Sequence, residues 1–149
     1  MSRTPLSLAD YRALAEFRYQ IRAFLSFSER AARSFGIEPQ QHQLLLALRG
    51  LPEGMRPTIR SVAERLCVQH HTAVALVDKL EERGLLQRER STVDRREVLL
   101  RLSTDGAELL RALSTRHREQ LQTVGPQLLT ALQTIVAEQT KPARRPRAA

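Results

Sequence analysis

The spacing of apolar residues departs from a helical period only once along this chain of 149 residues, and that departure limits the fold more than any other feature. Elsewhere the apolar side chains recur every three or four positions, which is the period of an amphipathic helix. After Gly84, Leu86, Arg88 and Arg90 share one face of an extended segment instead, and Val98, Leu100 and Leu102 alternate with Glu97, Leu99 and Arg101, as in two strands. The sequence therefore predicts a mainly α-helical protein with one small β-hairpin.

The predicted helices are bounded by proline, glycine and capping residues. Neither proline nor glycine occurs from Leu8 to Phe35, so we expect one long helix that ends at Gly36. Pro39 is placed to begin a second helix, because proline is tolerated in a first helical turn. Thr58 is expected to cap a third, short helix.

The remaining elements follow from the same signals. A turn at residues 67–69 joins the third helix to a fourth, and two short helices joined in this way are typical of a helix-turn-helix motif. Ser103 is expected to cap a fifth helix, and Gly125 with Pro126 to break it before a sixth. Residues 140–149 are rich in arginine and proline and predict a disordered basic tail.

The charge balance favours a polyanionic partner. Lysine and arginine number 24 against 16 acidic residues, which gives a formal charge of +8, and such an excess is typical of proteins that bind nucleic acid. Part of it lies in residues 141–149, so the body of the chain is only moderately basic. The N-terminus has no apolar stretch suited to a signal peptide or a membrane span, so we expect a cytoplasmic protein with no membrane partner.

The fourth predicted helix has two distinct faces. Ala73, Val77 and Leu80 lie together on a helical wheel and are expected to pack inward. The other face is free to contact DNA, because the start of this helix enters the major groove in helix-turn-helix proteins. The expected base contacts are His70, His71, Thr72 and Ala75, and the expected phosphate contacts are Gln69, Thr72 and Lys79. An ordinary solvated helix would show the same pattern.

The hairpin is rich in arginine. Residues 88–101 contain five arginines and three acidic residues, and an arginine-rich tip can place a guanidinium in a narrow minor groove. Asp94 and Arg96 are two residues apart, so the carboxylate is expected to hold the guanidinium in position. A charged surface hairpin that binds nothing would also fit. The expected DNA contacts of the hairpin are Arg90, Asp94, Arg95 and Arg96.

Three segments resemble the MarR (multiple antibiotic resistance regulator) family. Residues 74–89, VALVDKLEERGLLQRE, are followed by residues 94–106, DRREVLLRLSTDG. The latter is similar to the family's wing pattern of Asp-x-Arg, a strand, Leu-Thr/Ser and a following glycine. Upstream, residues 37–46 resemble the start of the family's second helix. The resemblance covers residues 10–138.

This resemblance implies a winged helix-turn-helix whose N- and C-terminal helices form a dimerisation region. Residues 1–149 would then be a single domain, with dimerisation helices at 8–36 and 103–139 and a DNA-binding lobe at 39–102. A homodimer of this kind presents both lobes to double-stranded DNA, at a pseudo-palindromic operator. The protein is therefore expected to regulate transcription, as a repressor.

The family's functional residues can be carried over onto this chain. The wing arginine falls on Arg96, with Asp94 as its partner and Arg95 as a neighbouring phosphate contact, and the recognition helix falls on residues 69–83. Members of the family often release DNA when a small lipophilic or phenolic effector binds between the lobes. The resemblance implies such an effector here.

Two alternatives to this function are open from the sequence. Cys67 is the only cysteine, and some members of the family release DNA when a thiol is oxidised. Their thiol usually lies in the first helix, however, and unreactive buried cysteines are common. The other alternative is a protein that does not bind DNA and whose amphipathic terminal helices bind a protein partner.

Metal binding and catalysis have little support. His70 and His71 are adjacent, so on a helix they point about 100° apart and cannot share a metal ion. No glycine-rich phosphate loop, GxSxG elbow or HExxH motif occurs. We therefore expect no enzymatic activity, no metal and no cofactor.

Overall fold

The computed structural model describes residues 5–138, which form five helices and one two-stranded antiparallel sheet. The helices are α1 (Leu8–Ser34), α2 (Pro39–Arg49), α3 (Ile59–Leu66), α4 (His70–Glu82) and α5 (Thr104–Glu138), and the strands are β1 (Leu86–Arg90) and β2 (Val98–Leu102). This order confirms the mainly helical fold with one hairpin. The predicted tail at 140–149 lies outside the described residues. None of the described helices is both long and apolar enough to cross a membrane.

The predicted helix caps are confirmed. The Thr58 hydroxyl accepts a hydrogen bond from the backbone N–H of Ser61 at 3.2 Å, and the Ser103 hydroxyl accepts one from Gly106 at 3.0 Å. Pro39 occupies the first turn of α2, and Gly36, with a φ of 77°, follows the end of α1. Each of these bonds satisfies a backbone group that the end of a helix leaves without a partner.

The predicted break at Gly125 and Pro126 is wrong, because α5 continues through both residues. The ring of a proline disfavours helical backbone in the preceding residue through contacts with that residue's N–H and Cβ, and glycine lacks the Cβ. Pro126 removes one N–H from the helix, but the turn that follows is helical, and the Thr130 hydroxyl donates to the Pro126 carbonyl at 2.9 Å. One long helix therefore replaces the predicted fifth and sixth helices.

The described chain divides into two compact units. Residues 28–117 form the central unit, and residues 5–27 with 118–138 belong to the terminal unit. The central unit contains α2, α3, α4 and the hairpin, and also the adjoining ends of α1 and α5. It is therefore larger than the lobe predicted at 39–102.

The core of the central unit is built from aliphatic side chains. The largest of those that are almost completely buried are Ile37, Leu44, Leu45, Val62, Val77, Leu80, Leu86 and Leu113. In the sheet, Leu86 pairs with Leu102 and Arg88 with Leu100. The N–H of Leu100 also donates to the Pro57 carbonyl at 2.7 Å, which ties the hairpin to the loop before α3.

A histidine lies within this core. His42 is 1% exposed, and neither of its ring nitrogens has a hydrogen-bond partner among the described residues. Its ring centroid is 4.9 Å from that of His117, whose Nδ1 and Nε2 lie 2.6 Å from the Leu113 carbonyl and 2.7 Å from the Ser28 hydroxyl. Burial, and secondarily the neighbouring His117, lower the pKa of His42 from 6.5 to about 4.

The terminal unit exposes large apolar side chains. On α1 and the residues before it these are Leu6, Leu8, Tyr11, Leu14, Tyr19 and Leu25, and on α5 they are Leu121, Leu129, Leu132 and Val136. Single exposed apolar residues are normal in soluble proteins, but a concentration of them is typical of a surface that binds another chain.

Candidate nucleic-acid interface

A left-handed residue forms the turn between α3 and α4. Cys67 has φ 54° and ψ 41°, and the N–H of Val68 donates to the Ala63 carbonyl at 3.1 Å. These features end α3 and allow α4 to begin at His70. The predicted helix-turn-helix is thus confirmed. The thiol of Cys67 is exposed at this turn rather than buried.

The two predicted faces of α4 are present. Ala73, Leu76, Val77 and Leu80 are buried. Of the residues predicted to contact DNA, Thr72 is half-buried, and the exposed ones are Gln69, His70, His71, Ala75 and Lys79. The start of α4 therefore presents a surface of small and hydrogen-bonding side chains.

Ion pairs divide the arginines of the hairpin into two groups. Arg88 binds Asp78 at 2.6 Å and Glu81 at 2.8 Å, and Arg101 binds Glu89 at 2.6 Å. Both arginines belong to the strands. Their charges are compensated within the protein, so they contribute little to the field at the tip.

The arginines near the tip, residues 91–97, are different. Arg90, Arg95 and Arg96 are all exposed, and within residues 5–138 none of them forms an ion pair. Arg90 instead donates from Nη1 to the carbonyl of Arg95 at 3.1 Å. Three cationic side chains are thus gathered where the hairpin projects, without acidic partners in the described chain.

Hydrogen bonds hold the backbone of the tip. The buried Ser91 hydroxyl accepts from the N–H groups of Val93 and Asp94, each at 3.2 Å. The Asp94 carboxylate accepts from the backbone N–H of Arg96 at 3.0 Å. The prediction that Asp94 binds the Arg96 guanidinium is therefore wrong, because the short Asp side chain reaches the nearby amide two residues along the turn. Asp94 shapes the tip and leaves the guanidinium free.

A residue that the sequence analysis did not identify fastens the tip to the rest of the unit. Arg56 lies in the loop before α3, and its Nε donates to Glu97 at 2.7 Å while its Nη2 donates to Ser91 at 3.3 Å. No local pattern predicts this contact, because its partners are 35 and 41 residues away along the chain.

The central unit also has a surface groove of about 440 Å³ between α2, the end of β2 and the start of α5. Leu46, Leu102 and Leu110 contribute apolar surface to its lining, and Arg49, Glu108 and Arg111 contribute charged groups. The groove can accommodate a small molecule that has both an apolar and a polar part.

The histidines at the start of α4 belong to no cluster of metal-ligating side chains in the described part of the chain. Both His70 and His71 are exposed, and no three His, Cys, Asp or Glu side chains within residues 5–138 come together in a way that could hold a metal ion. In the described structure, the side chains of His70 and His71 lie on the exposed surface of α4.

Comparison with known proteins identifies the family. The model of the MarR family matches residues 35–97, which include the helix-turn-helix and most of the hairpin. The organic hydroperoxide resistance transcriptional regulator of Bacillus subtilis is 32% identical over 100 residues, an alignment that covers 60% of this chain and 68% of that relative.

Solved structures share the fold. A variant of the Staphylococcus aureus protein MepR has a TM-score of 0.70 at 21% identity, over 83% of this chain and 96% of that chain. Another MepR variant, bound to an oligodeoxyribonucleotide, has a TM-score of 0.62 at 21% identity, over 83% and 95%. CouR of Rhodococcus jostii, bound to p-coumaroyl-CoA, has a TM-score of 0.59 at 27% identity, over 76% and 83%. The chain belongs to the MarR family of winged helix-turn-helix transcriptional regulators and is not an enzyme.

Proposed function

We propose that this regulator is a homodimeric repressor that binds a pseudo-palindromic operator in double-stranded DNA. One observation carries the proposal: Arg88 and Arg101 of the hairpin are ion-paired, whereas Arg90 at the end of β1 and Arg95 and Arg96 in the tip are exposed and have no acidic partner among the described residues. Exposed guanidinium groups on an ordered tip are suited to the negative potential of a narrow minor groove. Arg96 enters that groove, and Arg90 and Arg95 contact the adjacent phosphates.

In the proposed complex the start of α4 lies in the neighbouring major groove. His70, His71 and Ala75 contact base edges, since short or hydrogen-bonding side chains allow a helix to approach the bases closely. The free N–H groups and the dipole of a helix N-terminus attract phosphate. The phosphate contacts are Gln69 and Thr72 at this end of α4, and Lys79 in its last turn.

The homodimer forms through the terminal unit. Its support is the set of large apolar side chains that α1 and α5 expose there, such as Tyr11, Tyr19 and Leu129. Two symmetric subunits bring two α4 helices to successive major grooves on one side of the DNA. A pseudo-palindromic operator follows from that symmetry.

A small lipophilic or phenolic effector releases the DNA. CouR was solved with p-coumaroyl-CoA bound, and the groove beside Leu46 and Leu110 is lined both by these apolar side chains and by Arg49 and Arg111. An effector of this kind would bury its apolar part against the leucines and pair an acidic group with an arginine.

Replacing Arg96 with alanine is expected to weaken operator binding by about 1–3 kcal/mol, because a specific groove contact is lost. The measurement is a fluorescence anisotropy titration at one salt concentration, with a duplex selected by the protein from random DNA. The double variant Glu89→Ala/Arg101→Ala is the matched control, since it removes an arginine of the same hairpin together with the carboxylate that pairs with it. Equal affinities of the Arg96 variant and the parent would contradict the wing assignment.

The dimer is expected to protect two half-sites whose centres are about 10 base pairs apart, or one helical turn. Hydroxyl-radical footprinting on the selected duplex measures this spacing, and light scattering at the same protein concentration gives the mass of the free protein. Protection of a single half-site, or a monomer at concentrations that saturate the DNA, would exclude the proposed arrangement.

A further inference from the structure

Arg88 connects the hairpin to α4 through two acidic side chains. Its Nη2 lies 2.6 Å from Asp78 and its Nη1 lies 2.8 Å from Glu81, while its backbone N–H donates to the second oxygen of Glu81 at 3.0 Å. The Arg88 side chain is 27% exposed, against 66% for the paired Arg101 of the same hairpin. Both terminal nitrogens of Arg88 are thus engaged, which leaves this guanidinium poorly suited to contact DNA itself.

Asp78 belongs to the face of α4 that we place against DNA. His71, Ala75 and Asp78 are separated by four and three residues, so they lie along one side of the helix. At 1.5 Å per residue, Asp78 is about 10 Å from His71 along the axis. A charge at about this distance from the end of α4 that contacts the bases is only partly screened, because the Debye length is about 8 Å at physiological salt. A free carboxylate at this position would repel the phosphates that flank the groove.

We propose that Arg88 is a charge mask for the recognition helix. It compensates the carboxylates of Asp78 and Glu81 so that α4 can approach the phosphate backbone, and it is a positioning residue that acts through α4. This role rests on the proposed function, because it requires α4 to lie in the major groove. The ligand whose binding depends on this compensation is the DNA duplex, which is a polyanion.

The test compares Arg88→Gln with the triple variant Asp78→Asn/Glu81→Gln/Arg88→Gln. Arg88→Gln leaves two carboxylates uncompensated and is expected to bind the selected duplex about three- to tenfold more weakly at 0.1 M salt, with a deficit that shrinks as salt rises. The triple variant removes the repulsion together with the mask. Its affinity should return to within about twofold of the parent or exceed it.

Each outcome tests whether Arg88 acts by compensating the two carboxylates, as the charge mask requires. If the triple variant stays as weak as Arg88→Gln, then Arg88 contacts DNA or holds α4 mechanically, and the mask is wrong. Parent-like binding by Arg88→Gln would overturn it as well. If Arg88→Gln fails to fold, Asp78→Asn/Glu81→Gln alone decides: the mask predicts tighter binding than the parent, and equal or weaker binding contradicts it.

Arg96→Ala separates this inference from the proposed function. If Arg96→Ala loses affinity while Arg88→Gln does not, the DNA-binding proposal stands and the mask alone fails. If neither substitution changes the affinity, the charge mask and the placement of Arg96 in the minor groove both fail. Thermal unfolding of every variant shows whether a change in affinity is accompanied by a loss of folded protein.

Discussion

Replacing Gly106 with alanine is expected to destabilise the protein by about 3 kcal/mol or more, the upper part of the range for overpacked sites. A Cβ at this position would overlap the carbonyl oxygen of Leu85 and lie 2.9 Å from its carbonyl carbon. The Leu85 backbone cannot withdraw easily, because its N–H donates to Leu80 at 3.0 Å and its carbonyl accepts from Ser103 at 3.1 Å. The first turn of α5 therefore packs against the chain before β1 at a distance that only glycine permits.

The direction of the change in stability distinguishes the contact with Leu85 from the effect of helix propensity. Alanine is a better helix former than glycine by about 1 kcal/mol, so without the contact to Leu85 the substitution would stabilise the protein. The measurement is the free energy of unfolding in urea. Glu108→Ala, at an exposed position of the same helix turn, is the control and should change stability by less than about 0.5 kcal/mol. A Gly106→Ala protein as stable as the parent would show that the two segments can separate.

The second large effect is a loss of stability in acid that is caused by His42. In the unfolded chain this histidine takes up a proton near pH 6.5, whereas burial and His117 keep it neutral in the folded protein down to about pH 4. Between these values the unfolded state binds more protons, so stability falls as the pH falls. The contribution of His42 is complete above pH 6.5 and lost below pH 4. The total is about 3 kcal/mol, of which about 2 kcal/mol is lost by pH 5.

Urea unfolding at pH 7 and pH 5 measures this loss above the range in which most carboxylates titrate. His42→Phe fills a similar volume beside the His117 ring, adds no titratable group and removes two buried nitrogens that have no partner among the described residues. It should reduce the difference between the two pH values by about 2 kcal/mol. His70→Gln, which removes an exposed histidine, is the control. If His42→Phe loses as much stability between pH 7 and pH 5 as the parent does, His42 is not the cause.

Local signals in the sequence predicted the boundaries of most elements. Thr58 and Ser103 cap helices in the structure as expected, because a cap needs only a side chain and a backbone amide three residues away. The inward face of α4 was predictable for a similar reason, since burial along a helix follows its period. Pro126 was misjudged because the effect of a proline depends on its neighbour, and here the neighbour is glycine.

The candidate site was predicted less completely. The arginines proposed to contact DNA were identified from their position on a hairpin, but nothing in the sequence showed that Arg88 and Arg101 of the same hairpin are ion-paired. In the structure each of these two binds carboxylates. Arg56 was missed altogether, because its partners Ser91 and Glu97 are distant in the chain.

The sequence by itself determined the mainly helical class, the helix-turn-helix and the hairpin, because periodicity, caps and turns act over a few residues. Only the tertiary structure decided which charges are free, which glycine has no room for a Cβ, and which histidine is buried. Those properties arise where separate elements of the structure meet: Arg88 meets α4, Gly106 meets Leu85 and His42 meets His117. Ion pairing, close packing and desolvation depend on distances in space, and residue spacing does not specify them.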